Sequence, residues 1–205
     1  MIIKTSDYIG SYTSHEQCPE ASKPEFAFIG RSNVGKSSLI NMLCQRNALA
    51  HVSKEPGKTR AMNHFLINES WYLVDLPGYG YAKLPKHWRQ TWDEMTANYM
   101  SQRPNLQCAF LLIDSCVPPQ EIDLEFANKL GEWKTPFVIA FTKSDRKKSH
   151  QNIKDGFFKA FEDAFLQSWA ALPQTFLTSA EDHSGRDEIL HFINNLNTDF
   201  KLDGK

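Results

Sequence analysis

A glycine-rich segment near the start of the chain combines the residue types that hold a row of phosphate groups. It fits the pattern G-x-x-x-x-G-K-[ST], directly after an apolar run and at the start of a helical pattern. Closely spaced glycines let backbone N–H groups point at phosphate oxygens, and a helix N-terminus adds its positive end. The residues expected to contact the nucleotide are Gly30, Arg31, Ser32, Asn33, Val34, Gly35, Lys36, Ser37 and Ser38. Within this set, Lys36 should bridge the β- and γ-phosphates, and the Ser37 hydroxyl should bind Mg²⁺.

A second segment, after a later apolar run, has the chemistry to select the base. It consists of Thr142, Lys143, Ser144 and Asp145. The Asp145 carboxylate can accept hydrogen bonds from the N1–H and the exocyclic amino group of guanine, and adenine has no such pair of donors. Lys143 can lay its stem across the ring, while Thr142 braces neighbouring loops. We therefore expect GTP or GDP as the ligand, with backbone N–H groups of a third segment close to the guanine O6: Thr178, Ser179 and Ala180.

Two further loops carry residues suited to the metal and the γ-phosphate. One contains Asp75, Leu76, Pro77 and Gly78. Its carboxylate is expected to hold Mg²⁺ through water, and the Gly78 N–H to bond the γ-phosphate only when GTP is bound. The other contains Gly57, Lys58, Thr59, Arg60 and Ala61. The Thr59 hydroxyl is placed to reach Mg²⁺ in the GTP state. The residues predicted to act in hydrolysis are Lys36, Thr59, Gly78 and Asn33, and those predicted to hold the metal are Ser37, Thr59 and Asp75.

The elements that must position these loops follow an alternating pattern. Short apolar runs bounded by Gly, Pro or Asp alternate with longer segments of helical period, which predicts an α/β fold. We predict a Ras-like P-loop NTPase with a six-stranded, mostly parallel sheet, one antiparallel edge strand and helices on both faces. The predicted strands are Phe26–Ile29, His64–Ile67, Trp71–Asp75, Ala109–Asp114, Phe137–Phe141 and Thr175–Thr178. The predicted helices are Lys36–Arg46, Lys86–Gln102, Gln120–Trp133, His150–Trp169 and Arg186–Leu196.

Composition limits the class of protein. The 205 residues, 41% of them hydrophobic, suit a single G domain over residues 1–205, with a core at about 24–198 and frayed termini. The 23 basic and 24 acidic residues nearly cancel, so the total charge indicates neither nucleic acid nor membrane. The cysteines form no C-x-x-C pair, and no run approaches the roughly 18 apolar residues of a membrane span. These features favour a cytoplasmic protein that has no membrane partner. We also expect a monomer.

Four motifs, GRSNVGKSSLIN, PGKT, DLPGYGYAK and TKSD, resemble in order and spacing the bacterial EngB/YihA/YsxC group of TRAFAC-class P-loop GTPases. The resemblance covers the chain from about Pro24 to the last helix. It implies a role in assembly of the large ribosomal subunit and in normal cell division and septation. Cys116 stands where many members are expected to carry a basic residue, and this departure concerns partner contacts rather than GTP binding.

The residue after the D-x-x-G glycine bears on the rate of hydrolysis. Ras-type enzymes have a glutamine there, whereas this chain has Tyr79, so we expect slow intrinsic hydrolysis. In potassium-stimulated GTPases an asparagine at the place of Asn33 helps hold a monovalent cation. K⁺, a docked partner or both would then complete the site, and a purely structural role for Asn33 remains the alternative. Two other functions stay open: a nucleotide-gated binding module with negligible hydrolysis, and a P-loop kinase of small molecules, against which Asp145 argues.

Basic residues form three clusters on predicted loops near the nucleotide. They are Lys54, Lys58 and Arg60; Lys83, Lys86, His87 and Arg89; and Arg146, Lys147 and Lys148. A basic rim whose shape depends on the γ-phosphate suits docking on RNA, although ordinary solvated loops have the same composition. Stacking contacts could come from Tyr79, Tyr81, Trp88 and Trp92, of which the two tryptophans are spaced for a helix core. The expected partner is the large ribosomal subunit or its precursor, through rRNA and ribosomal proteins.

Overall fold

The fold is that of a computed structural model, which describes residues 1–46, 49–50, 61–80, 86–146, 151 and 156–200, with the backbone alone for 86–89. Its centre is a seven-stranded sheet with the strand order β1-β3-β4-β2-β5-β6-β7. The strands are β1 (Ser6–Tyr12), β2 (Glu25–Gly30), β3 (Met62–Ile67), β4 (Trp71–Asp75), β5 (Leu106–Asp114), β6 (Phe137–Thr142) and β7 (Thr175–Leu177). In the part of the sheet with the spatial order β4-β2-β5-β6-β7, each strand runs parallel to its neighbours. Strand β3 is antiparallel to both β1 and β4.

The predicted count of six strands is wrong, because residues 6–12 add β1 to the sheet. Ser6 pairs with Ile67 and Tyr12 with Met62, so β3 lies inside the sheet and is not its edge. The N-terminal residues that we expected to fray are therefore ordered by a partner distant in sequence. Within β1 only Ser6 is buried, which leaves the strand without the apolar alternation that would reveal it in the sequence.

Within the part of the chain that the structure describes, five α-helices with defined bounds cover the two faces of the sheet. They are α1 (Lys36–Cys44), α2 (Lys86–Gln102), α3 (Glu121–Glu132), α4 (Phe157–Phe165) and α5 (Arg186–Asp199), and a 3₁₀ turn spans His15–Gln17. Helices α1 and α5 bury their apolar residues against one face, and α2, α3 and α4 against the other. Among the described residues, no helix has the length and apolar character needed to cross a membrane.

The fourth helix ends earlier than its apolar period suggests, at Phe165 rather than at Trp169. Its described part begins at Phe157, directly after Gly156 with a left-handed φ of 78°, and the predicted start at His150 lies outside the described residues. Phe161 and Phe165 are buried as the stripe predicts. Trp169 lies beyond the helix end and stacks on Phe165 with 5.3 Å between ring centroids. Ile153, which we assigned to the same stripe, lies outside the described residues.

A buried polar group fastens α2 to the amino end of the sheet. Glu25, the first residue of β2, has no exposed surface and accepts hydrogen bonds from Arg103 Nη2 at 2.7 Å and from the Tyr99 hydroxyl at 2.8 Å. His64 Nε2 lies 3.6 Å from Glu25 Oε1, beyond hydrogen-bond range, and acts through its charge when protonated. Burial raises the pKa of Glu25, but His64 and Arg103 together outweigh it and lower the pKa to about 2.

The carboxyl ends of β2, β4, β5, β6 and β7 meet at the opposite end of the sheet. Gly30 is paired with Leu112, and Asp114 with Thr142, so the loops after these strands are neighbours. Doubly wound sheets bind ligands at such ends.

Candidate nucleotide site

The glycine-rich segment forms a tight turn between β2 and α1. Asn33 and Gly35 adopt left-handed backbone conformations, with φ of 62° and 106°. The Val34 N–H donates to the Arg31 carbonyl at 3.2 Å, and the Leu39 N–H donates to Gly35 at 2.9 Å, which opens the helix. This geometry leaves the N-terminus of α1 directly behind the turn, as a phosphate cradle requires.

Two glycines permit the close approach of chain segments at this turn. A Cβ on Gly30 would lie 2.8 Å from the Leu112 carbonyl oxygen and 2.9 Å from Val34 Cγ1. A Cβ on Gly78 would lie 2.7 Å from the Gly30 carbonyl oxygen. The loop after β4 is therefore in backbone contact with the cradle, which also shows in the Tyr79 N–H donating to the Gly30 carbonyl at 3.2 Å.

Acidic and basic groups meet at the mouth of the cradle. Lys36, the first residue of α1, forms an ion pair with Asp75, the last residue of β4. Asp75 is 3% exposed, and Asn63 Nδ2 lies 3.4 Å from its other carboxylate oxygen. The Asp75 carboxylate thus already faces a cation, the Lys36 amino group. Together with the hydroxyl of Ser37, which follows Lys36, it supplies the hard oxygen donors that Mg²⁺ prefers. These residues fit a magnesium ion that keeps several of its waters.

The loop after β6 is connected to the cradle by two side chains. The Thr142 hydroxyl donates to the Val34 carbonyl at 2.6 Å and lies 3.3 Å from the Ile113 carbonyl. Lys143, whose φ is 60°, extends its amino group to the Asn33 carbonyl at 2.8 Å and to the Asp114 carboxylate at 2.6 Å. The lysine stem therefore crosses from the base-selecting segment to the cradle, where one flat ligand could lie along it.

Asp145 is fixed in position by the loop after β7. The Ser179 hydroxyl donates to Asp145 Oδ1 at 2.7 Å and itself accepts from the Glu181 N–H at 3.1 Å. The Ser144 N–H donates to the Thr178 carbonyl at 3.1 Å. Thr178 and Ser179 are almost fully buried, whereas the Asp145 side chain is 20% exposed. The arrangement leaves Asp145 Oδ2, which lies 3.4 Å from Arg146 Nε, at the edge of the site.

The structure brings together four of the five predicted segments. Residues 30–38, 75–78, 142–145 and 178–180 lie around one end of the sheet. The fifth segment, including Gly57, Lys58, Thr59 and Arg60, lies outside the described residues, and only Ala61 precedes β3 within them. Of the three basic clusters, only the side chain of Arg146 is described. Trp92 is half-buried, and its Nε1 donates to the Pro77 carbonyl at 3.2 Å.

Sequence reasoning missed a buried carboxylate beside the cradle. Asp123 of α3 accepts from Arg31 Nε at 2.9 Å and from the Tyr79 hydroxyl at 2.7 Å. Burial raises the pKa of Asp123, against the lowering effect of these two partners, and burial likewise raises the pKa of Tyr79 well above its usual range. A signal was available, because Asp123 falls on the buried helical stripe that continues with Phe126, Ala127 and Leu130.

Comparison with known proteins identifies the family. A family model described as "50S ribosome-binding GTPase" matches residues 25–143. A probable GTP-binding protein EngB of Christiangramia forsetii is 48% identical over 197 residues, which cover 96% of this chain and 98% of the relative. The chain belongs to the EngB family of GTP-binding proteins. The resemblance drawn from the four motifs is thereby confirmed.

A second EngB-family relative agrees with this assignment, and solved structures share the fold. A probable EngB of Porphyromonas gingivalis is 47% identical over 96% of this chain and 97% of its own length. A crystal structure of a probable GTP-binding protein engB matches with a TM-score of 0.65 at 23% identity, covering 86% of this chain and all of that one. Era in complex with MgGDPNP and 16S ribosomal RNA matches with a TM-score of 0.65 at 19% identity, over 84% and 56% of the two chains. These structures share the α/β GTPase fold.

Proposed function

We propose that this EngB-family protein is a magnesium-dependent GTP/GDP switch that hydrolyses GTP slowly and acts in assembly of the large ribosomal subunit. The observation that carries the guanine specificity is the contact between Ser179 and Asp145 beside the cradle. Because Ser179 holds one oxygen of the Asp145 carboxylate, the orientation of the carboxylate is fixed. Its remaining lone pairs can then point towards a base that lies along Lys143. By family resemblance the switch is needed for cell division and septation, and we infer a monomer in the cytoplasm.

Each group around the γ-phosphate has a distinct task. Lys36 would turn from Asp75 to the β- and γ-phosphates, which leaves that carboxylate and the Ser37 hydroxyl to hold Mg²⁺ with its waters. The metal would supply charge neutralisation between the phosphates. The Gly78 N–H would bond the γ-phosphate in the GTP state, and Thr59 would complete the metal ligands. Loss of the γ-phosphate then removes the bond to Gly78, and a partner can detect that change.

Slow hydrolysis is supported by the position of Tyr79. Its hydroxyl donates to Asp123 and the residue is 4% exposed, so the side chain at the place of the Ras glutamine is turned into the core. A phenol held in this way has no access to an attacking water. The same observation favours the second candidate, a nucleotide-gated binding module with negligible hydrolysis, which a multiple-turnover GTP assay distinguishes from a slow enzyme.

A monovalent cation is one way to complete the site. Asn33 is exposed on the cradle, and its left-handed backbone is held by Lys143. An arginine finger is worth about 10³–10⁵ in rate, and we expect KCl to raise turnover roughly tenfold or more over NaCl. Asn33→Gly removes the amide but keeps the backbone conformation, so it should abolish the difference, whereas Asn194→Ala on the exposed face of α5 should not. Equal rates in the two salts would rule out the cation.

The ribosomal role rests on the family description and on the EngB resemblance. Its test is hydrolysis of GTP and ATP by the purified protein in KCl, with and without large ribosomal subunits. Turnover of GTP alone that rises with added subunits would support the proposal. Turnover of ATP would contradict the role given to Asp145. GTP binding without turnover under any of these conditions would favour the gated binding module.

A further inference from the structure

A compact polar group connects three parts of the molecule that the nucleotide motifs do not link. Arg31 comes from the cradle, Tyr79 from the loop after β4 and Asp123 from the first turn of α3. Arg31 Nε lies 2.9 Å and 3.1 Å from the two Asp123 oxygens, and the Tyr79 hydroxyl donates to Oδ1 at 2.7 Å. One carboxylate therefore holds a side chain of the cradle and a side chain of the loop at the same time.

The Asp123 carboxylate and the Tyr79 ring of this group are buried. The Asp123 side chain has no exposed surface, and that of Arg31 is 22% exposed. The Tyr79 ring stacks on Phe126 with 4.4 Å between centroids and 8° between planes. Because the ring is fixed by stacking and its hydroxyl by a charged acceptor, Tyr79 has one orientation.

The backbone transmits this restraint to the residue before Tyr79. Arg31 and Tyr79 form a parallel β-bridge, and the Tyr79 N–H donates to the Gly30 carbonyl at 3.2 Å. Gly78 is in contact with the same carbonyl, since a Cβ there would lie only 2.7 Å away. A fixed Tyr79 therefore restrains the Gly78–Tyr79 peptide and, through it, the position of Gly78 beside the cradle.

We propose that Asp123 is a positioning residue that raises the affinity for GTP relative to that for GDP, by clamping Tyr79 to Arg31 so that the Gly78 N–H stands ready for a γ-phosphate. The inference rests on the GTP/GDP switch proposed above and adds a residue outside its motifs. GDP lacks the γ-phosphate and does not use the Gly78 N–H. Loosening the clamp should therefore weaken binding of a GTP analogue and leave GDP binding unchanged.

Tyr79→Phe is the sharpest perturbation, because it removes the hydroxyl and keeps the ring stacked on Phe126. The chain provides a matched control at the other end of the sheet, where the Tyr99 hydroxyl donates to Glu25, which also accepts from Arg103. Tyr99→Phe removes the same bond from the same kind of carboxylate–arginine pair, far from the cradle. Both variants should lose similar stability, and only the first should change nucleotide preference.

The measurement is the Kd of GDP and of the non-hydrolysable analogue GDPNP, by calorimetric titration in Mg²⁺, for wild type and both variants. For Tyr79→Phe we expect GDPNP to bind about 5- to 20-fold more weakly and GDP within about twofold of wild type. Asp123→Asn, which retains an acceptor for Tyr79 but loses the charge opposite Arg31, should shift the GDPNP/GDP ratio in the same direction. If that variant does not fold, Tyr79→Phe alone decides.

Other outcomes would overturn the inference. Equal weakening of both nucleotides by Tyr79→Phe, no change in either, or the same ratio change in Tyr99→Phe would show that the group is merely structural. In all three cases wild-type GDP binding would leave the proposed function standing. A wild-type protein that bound neither nucleotide would instead contradict the proposed function itself.

Discussion

The base-selecting carboxylate gives the most direct test of the site, through the variant Asp145→Asn. One carboxylate oxygen is occupied by Ser179 at 2.7 Å, and the other lies at the edge of the site. An amide in its place can still accept from the guanine N1–H. Its NH₂ group, however, meets the exocyclic amino group of guanine, which is also a donor. The variant therefore exchanges a charged hydrogen bond for a donor facing a donor.

The size of the effect follows from these contacts. A hydrogen bond to a charged group contributes about 1.5–3 kcal/mol, and an unpaired donor at a partly covered site costs a further 1 kcal/mol or so. Since the Asp145 side chain is 20% exposed, we take a total of about 3 kcal/mol, which weakens GDP binding roughly 100-fold. Xanthosine diphosphate has a carbonyl where guanine has the amino group, so its binding to the variant should improve.

The assay is a fluorescence or calorimetric titration with GDP, xanthosine diphosphate and ADP at one salt concentration. The matched control is Asp182→Asn, which removes an exposed carboxylate from the adjoining loop after β7. It should leave the affinity for GDP within about twofold. If Asp145→Asn bound GDP as tightly as the wild type, Asp145 would not be the group that recognises the base. If Asp182→Asn weakened GDP binding as much as Asp145→Asn, the effect would come from the loss of a negative charge near the site and not from contact with the base.

Three further outcomes follow from the packing. Gly30→Ala places a Cβ 2.8 Å from the Leu112 carbonyl oxygen, so we expect a loss of about 2 kcal/mol in urea unfolding. Thr142→Val leaves the buried Val34 carbonyl without its hydroxyl donor, and should cost about 1–3 kcal/mol and weaken GDP binding. Glu25 has a pKa lowered from 4.5 to about 2, so its contribution of roughly 3 kcal/mol is present above pH 4.5 and lost as the pH falls towards 2. Acid unfolding of wild type and Glu25→Gln measures it.

Each of these outcomes has its own check. Gly156→Ala is the control for Gly30→Ala. A Cβ at Gly156 would meet nothing within 4 Å, so the cost of this substitution comes only from the left-handed φ of 78°. A similar loss in both variants would mean that close approach is not the cause. For Thr142, Thr198→Val on exposed α5 should leave GDP binding unchanged. For Glu25, the free energy of unfolding should depend less on pH between 4.5 and 2 in Glu25→Gln than in wild type. An unchanged pH dependence would contradict the role given to Glu25.

The parts of the fold that the sequence predicts are those with strong local patterns. Strand β4 and helix α2 have the predicted bounds, Trp71–Asp75 and Lys86–Gln102. The cradle is likewise a local pattern, in which two glycines, a lysine and a serine stand in a fixed order. Helix α1 ends two residues before its predicted end, because Gln45 turns to a left-handed φ of 50°. Local periodicity does not reveal such a stop.

The parts that escape prediction depend on contacts between distant residues. Asp123 and Tyr79 are separated by 44 positions, and nothing near either one indicates that they meet. Sequence alone does indicate that Tyr79 is an unusual replacement for glutamine, but the direction of its ring is decided by Phe126. Asp114 is a similar case, since its role in holding Lys143 comes from the pairing of β5 with β6.

The position of β1 has a consequence for how the chain folds during synthesis. This strand precedes the other strands of the sheet in the sequence, and its partner β3 consists of residues made roughly 50 to 60 positions later, with Ser6 pairing to Ile67 and Tyr12 to Met62. At translation rates of about 5–20 residues per second, the first strand waits about 3 to 12 s for that partner. During this interval Tyr8 and Ile9, which stay exposed even in the finished sheet, face solvent without a pairing strand. Strand β1 can therefore join the sheet only after β3 has been made.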